Sequence, residues 1–167
     1  MKKLIFTIIL LCGVSISALA QVTATATSTA TIVTPISITK TVDMDFGNVA
    51  VSATPGTVVL TPAGTRSITG GVTLPAVTGT VTAASFDVNG TAGYTYSITL
   101  PSSDLTITSG ANTMAVNTFT SNPTPTGTLD GSGAQTLNVG ATLNVSASQA
   151  SGVYVSGTPF DVTVNYN

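Results

Sequence analysis

The sequence predicts an all-β protein, an immunoglobulin-like antiparallel β-sandwich behind an N-terminal signal peptide, and three observations carry that reading. Short period-two segments recur along the chain with turn residues between them. Threonine supplies 33 of the 167 residues, and its stiff χ1 suits a pleated surface, whereas Glu is absent and Lys and Arg are scarce. No segment of ten or more residues carries a helical period. Roughly nine or ten short strands at this spacing mean a sandwich or a barrel.

The elements follow in chain order. Met1-Lys2-Lys3, an apolar run over residues 4–14 and Ala18-Leu19-Ala20 form a basic start, a short hydrophobic region and a cleavage site. Residues 1–20 are therefore expected to be removed before Gln21, which places the protein outside the cell, in a periplasm or on the cell surface. Cys12, the only cysteine, offers the alternative of lipid attachment, but Leu11 precedes it where a small residue is favoured. A spanning helix needs about 20 apolar residues, and no later stretch offers them, so no membrane insertion is expected after cleavage.

Residues 21–34 form an N-terminal extension or a first strand. "QVTATATSTATIV" alternates, with Val22, Ala24, Ala26, Ser28, Ala30 and Ile32 on one face and threonines on the other. The domain proper is expected over residues 35–167. Its strand candidates are "PISITK", "TVDMDFG", "GTVVLTP", "TRSITGGVTLP", "TGTVTAASFDVNG", "YTYSITLP", "DLTITSG", "NTMAVNTFT", "QTLNVGATLNVSA" and "PFDVTVNYN". Gly70-Gly71, Asn89-Gly90, Ser109-Gly110 and Asp130-Gly131 are the expected positive-φ turns. "NPTPTGTLDGSG" at residues 122–133 reads as a long surface loop.

Alternation assigns the faces. Ala84, Phe86 and Val88 point one way; Tyr94, Tyr96, Ile98 and Leu100 form a second stripe, followed by Leu105 and Ile107. Leu137, Val139, Leu143 and Val145 form a third, and Phe160, Val162, Val164 and Tyr166 give the C-terminal strand its core face. A sheet buried on one side and coated with Thr, Ser and Asn on the other accounts for all of them.

Composition excludes several functions. Beyond residue 20 the only bases are Lys40 and Arg66, against six aspartates, so the phosphate-neutralising cations that nucleic acid requires are missing. There is no His or Glu, and no Cys after Cys12, which removes the usual nucleophile pairs and the nitrogen and sulfur ligands of zinc. No phosphate-cradling glycine motif is present, so the sequence predicts neither an enzyme nor a cofactor. Asp43 and Asp45 could face one way and offer oxygens to Ca²⁺, but nothing completes the six to eight that the ion takes. They read as solvated carboxylates flanking an inward Met44.

"DFGNVAVSATPGTVVLTPAGTRSITGGVTL" at residues 45–74, "YTYSITLP" and the ending "GVYVSGTPFDVTVNYN" resemble domain-of-unknown-function family 4402. The resemblance spans residues 21–167 and implies a secreted or surface β-sandwich with no assigned activity. More distantly, the chain resembles subunits of chaperone–usher pili and the related spore coat U domains. Those carry an alternating N-terminal extension, matched by residues 22–32, and a C-terminal strand with a penultimate aromatic, matched by Phe160, Val162, Val164 and Tyr166. The pilin glycine near the end and the usual disulfide have no counterpart, which puts chaperone handling in doubt.

Three readings of the opening segment stay open: a strand completing a neighbour's sandwich, the first strand of its own, or a flexible tether. As a donor it gains from burying Val22 and Ile32, about 1.5–3 kcal/mol each, and from ladder hydrogen bonds of about 0.5–1.5 kcal/mol each. Ordering costs about 1–2 kcal/mol per residue, a total of similar size. A donor strand this weak needs a deep, pre-formed groove. The expected function is a non-catalytic structural or adhesive surface subunit, self-associating or bound to another surface subunit. The alternative is a secreted binding module for a sugar or peptide, with Tyr154 as its one out-of-phase aromatic.

Overall fold

The computed structural model describes residues 21–167, so the signal-peptide reading of residues 1–20 lies outside the described residues. The chain divides into two units, one ending at Ile32 and the other running Val33–Asn167. Residues 21–32 are exposed and form no strand. Residues 21–34, read as an N-terminal extension or a first strand, carry no strand here, and the first ladder begins at Ser37. Its alternating face is mostly alanine, so outside a pre-formed groove it buries too little apolar area to offset the entropy of ordering.

The second unit is all-β, with no helix among the described residues and every ladder antiparallel. Its strands are β1 (Ser37–Val42), β2 (Gly56–Leu60), β3 (Arg66–Gly70), β4 (Ala84–Asn89), β5 (Thr95–Thr99) and β6 (Leu105–Ser109). They continue with β7 (Asn112–Asn122), β8 (Thr126–Thr128), β9 (Ala134–Val145), β10 (Val155–Ser156) and β11 (Thr163–Tyr166). The larger sheet runs β1-β4-β9-β7-β6-β10, with β2 also on β9 and β3 on β2; the smaller runs β11-β5-β8.

Strand β9 organises the larger sheet. Its first half pairs with β4 and its second half with β2, while β7 flanks both. The exchange falls at Gly140, where a Cβ would run into the Leu60 carbonyl oxygen, so only glycine lets the backbones approach this closely. Two apolar clusters result. One joins the two sheets through Phe86, Val88, Leu137 and Val139 on the larger, and Tyr96 and Val164 on the smaller. The other lies against the far half of β9, around Val58, Val116, Leu143 and Val145.

Several expectations need correction. Residues 122–133 are not simply a loop, because they contain β8 and the buried Leu129. Gly127 makes this possible by letting the Tyr96 ring lie on the strand backbone, where a Cβ would collide with it. Tyr94 is 44% exposed, because it precedes β5 and packs edge-on against Tyr166 outside the core. Gly70 and Gly110 do adopt positive φ, but the other two turns use Gly93 and Gly133 rather than Gly90 and Gly131. "TVDMDFG" beyond Val42 contributes a single bridge, Asp45 to Thr82, and β10 lies in a stretch not expected to pair.

Candidate functional site: an open apolar groove

Only one half of the larger sheet is covered by the smaller. On the other half, cross-strand rows carry apolar side chains on one face: Leu105 opposite Val116, Val116 opposite Leu143, and Ile107 opposite Met114. These side chains floor a groove of about 1190 Å³. Val116, Leu143 and Val145 are buried at its base, whereas Leu105, Ile107 and Met114 are only half-buried.

Residues 40–51 line one side of the groove. They are held from behind by the Asp45–Thr82 and Ala50–Thr73 bridges and by the Asn48 N–H donating to the Thr78 carbonyl at 2.7 Å. The Arg66 guanidinium donates from Nη1 to the Phe46 carbonyl at 2.5 Å and the Asn48 carbonyl at 3.0 Å. A cation is thus spent on bracing backbone, a role that no sequence signal marked. Asp43 pairs with Lys40 at 2.6 Å, and the Asp45 carboxylate accepts the Gly47 N–H at 2.7 Å. Each carboxylate is engaged locally, and Met44 packs against both clusters between them.

Residues 149–160 line the other side. Strand β10 pairs with β6, and the Tyr154 hydroxyl donates to the Ala150 carbonyl while accepting from Gln149 Nε2, both at 2.8 Å. Phe160 closes the core end of the groove against Phe119 and Phe86, with ring centroids 5.0 and 6.5 Å away. Val153 and Val155, 82% and 60% exposed, stand near the mouth.

A seam runs between β1 and β11, of which only β1 reaches the groove, through Lys40 and Val42. Each pairs along one edge, with β4 and with β5, and the other edge of each has no ladder partner among the described residues. The seam is pinned at its far end. Tyr166 donates its hydroxyl to the Thr34 carbonyl at 2.8 Å and accepts the Thr91 N–H at 2.7 Å.

Of the residues singled out on the C-terminal strand, Val164 is buried, and Phe160, Val162 and Tyr166 pack half-buried against the first cluster. Val22, Ala24, Ala26, Ser28, Ala30 and Ile32 are all exposed and unpaired in strand terms, Val22 and Ile32 at 92% and 93%. Among the described residues no helix is long and apolar enough to cross a membrane, and no three His, Cys, Asp or Glu side chains cluster as metal ligands would.

Fold and groove define a class first: an all-β antiparallel domain with one apolar sheet face left open. Residues 36–166 match the family model described as Domain of unknown function (DUF4402), and the chain belongs to that family. No curated protein and no solved structure shows a significant match to it.

Proposed function

We propose that the protein is a non-catalytic, secreted or cell-surface structural subunit whose β-sandwich is completed by a strand from outside the domain. In this reading the fold is immunoglobulin-like with one strand missing from its second sheet, between β1 and β11. The observation that carries the reading is the groove: an apolar half-sheet bordered by strands with free edges invites strand addition. The resemblance of residues 22–32 and of the Phe160–Tyr166 stripe to pilin subunits points the same way. Tyr154, the marker of a sugar- or peptide-binding module, spends its hydroxyl inside its own loop, which favours the structural reading.

A synthetic peptide of residues 21–33 tests this. Added to dilute protein, it should raise the melting temperature by several degrees, since a ligand at a hundred times its dissociation constant adds about 2.7 kcal/mol. A peptide of the same composition with the alternation scrambled should not. No shift at millimolar peptide would overturn the proposal.

A further inference from the structure

We infer that the outer edge of β3 is a self-association surface, pairing antiparallel with β3 of a second copy about a two-fold axis at Ile68. The inference is independent of what fills the groove. Strand β3 pairs only with β2, and residues 67–70 are exposed, so no element among the described residues covers that edge. The ladder fixes which main-chain groups face outward. At one end of the β2–β3 hairpin the Gly71 N–H donates to the Pro55 carbonyl at 3.0 Å, and at the other the Thr61 N–H donates to the Thr65 carbonyl at 2.9 Å. Both contacts keep the register in which Gly56 faces Gly70 and Leu60 faces Arg66. Bonded and non-bonded pairs alternate in an antiparallel ladder, so Ser67 and Thr69 bond to β2. Arg66 and Ile68 aim their N–H and C=O groups away from the sheet, together with Gly70 where the strand ends.

The other strand edges carry the features that keep sheets apart: charge, proline, irregular register or very short length. Strand β1 holds Lys40 and a register shift after it, and β8 has three residues with Pro123 and Pro125 just before them. Strand β10 has two residues, and Asp161 stands just before β11. Strand β3 has none of these. Its register with β2 is unbroken, it has no proline, and Arg66 is the one charged side chain in residues 46–86. That guanidinium is engaged with the Phe46 and Asn48 carbonyls. A second copy is the occupant that fits, because a two-fold axis makes the edge its own complement and closes both edges at once. Ile68 then exchanges main-chain hydrogen bonds with Ile68 of the second copy, and Ser67 lies opposite Thr69 of the second copy. Ile68 faces the fully buried Val58 across the hairpin, on the core side of the sheet, yet is 38% exposed. The pairing lays two such side chains against each other and covers them. The two arginines fall at opposite ends of the new ladder, so no like charges meet.

Cysteine pairing reads the register in the full chain carrying Cys12→Ser and Ala26→Asp, so that no head-to-tail contact through residues 22–32 contributes. Directly opposed residues of a non-bonded pair have Cα atoms about 4.5 Å apart, within disulfide reach, whereas diagonal neighbours lie at about 7–8 Å. An equal mixture of Ser67→Cys and Thr69→Cys chains under mild oxidation should therefore give at least tenfold more linked heterodimer than homodimer of either kind. The roughly twofold excess expected from chance would overturn the pairing. Light scattering supplies the second measurement. Ile68→Lys adds a charge at the centre of the edge and should weaken dimerisation at least tenfold while leaving far-ultraviolet circular dichroism unchanged. Dimers indifferent to Ile68→Lys would place the contact elsewhere, and a chain that stays monomeric up to millimolar concentration would overturn the surface altogether.

Discussion

The Tyr166 hydroxyl bridges the Thr34 carbonyl and the Thr91 N–H, joining the last strand to the residues that lead into the first. A penultimate side chain thereby fixes where the chain enters its domain. Gly90 lies beneath the hydroxyl, where a Cβ would collide with it. Tyr166→Phe keeps the ring and its packing on Tyr94 but removes both hydrogen bonds. The expected loss is about 1–2 kcal/mol, or about 3–6 °C in the melting temperature. A shift below about 1 °C would show that the bridge is not a structural tie.

The C-terminal strand should discriminate sharply between its faces. Val164 is 8% exposed, whereas Thr163 faces solvent. Val164→Asp buries a charge with no partner and should prevent folding; Thr163→Asp should leave far-ultraviolet circular dichroism and melting unchanged. Equal tolerance at both positions would contradict the burial pattern of β11.

Two glycines should behave oppositely. A Cβ on Gly127 would meet the Tyr96 ring and Gln135 Oε1, whereas one on Gly131 meets nothing. Gly127→Ala should destabilise by about 1–3 kcal/mol, as overpacking does, and Gly131→Ala should be near neutral in denaturant titration. Equal stabilities would place β8 away from the Tyr96 ring.

The alternating stripes were legible because burial on one side leaves a period-two record, as in Ala84, Phe86 and Val88 or Leu137 and Val139. Strand β8 was not, since three residues among Pro, Gly and Thr carry no period. The groove was invisible for a different reason. Leu105 and Ile107 alternate as core residues do, and alternation cannot tell a face covered by a second sheet from one left open. Arg66 was missed because its partners are backbone carbonyls, which every sequence has.

Acid should weaken one turn first. Asp130 Oδ1 accepts hydrogen bonds from the Ser132 hydroxyl and from the Ser132 and Ala134 N–H groups, and these hold its carboxyl below the ordinary value of 3.8. A depressed carboxyl stabilises the fold fully above its unfolded pKa and loses that contribution as pH falls through its folded one. The stability gap between wild type and Asp130→Ala should therefore be constant above about pH 5 and shrink below about pH 3.8. A gap that does not narrow on acidification would mean that the turn draws nothing from the ionised form.

Completion of the groove by residues 22–32 is tested most directly by size-exclusion chromatography with light scattering across a wide range of protein concentration. Strand complementation predicts head-to-tail species that grow with concentration, because a strand entering the next subunit need not close a ring. Ala26→Asp, which places a charge on the inserted face, should abolish them, and Thr27→Asp on the opposite face should leave them intact. A wild-type chain that stays monomeric at every concentration, or assemblies equally indifferent to both substitutions, would contradict it.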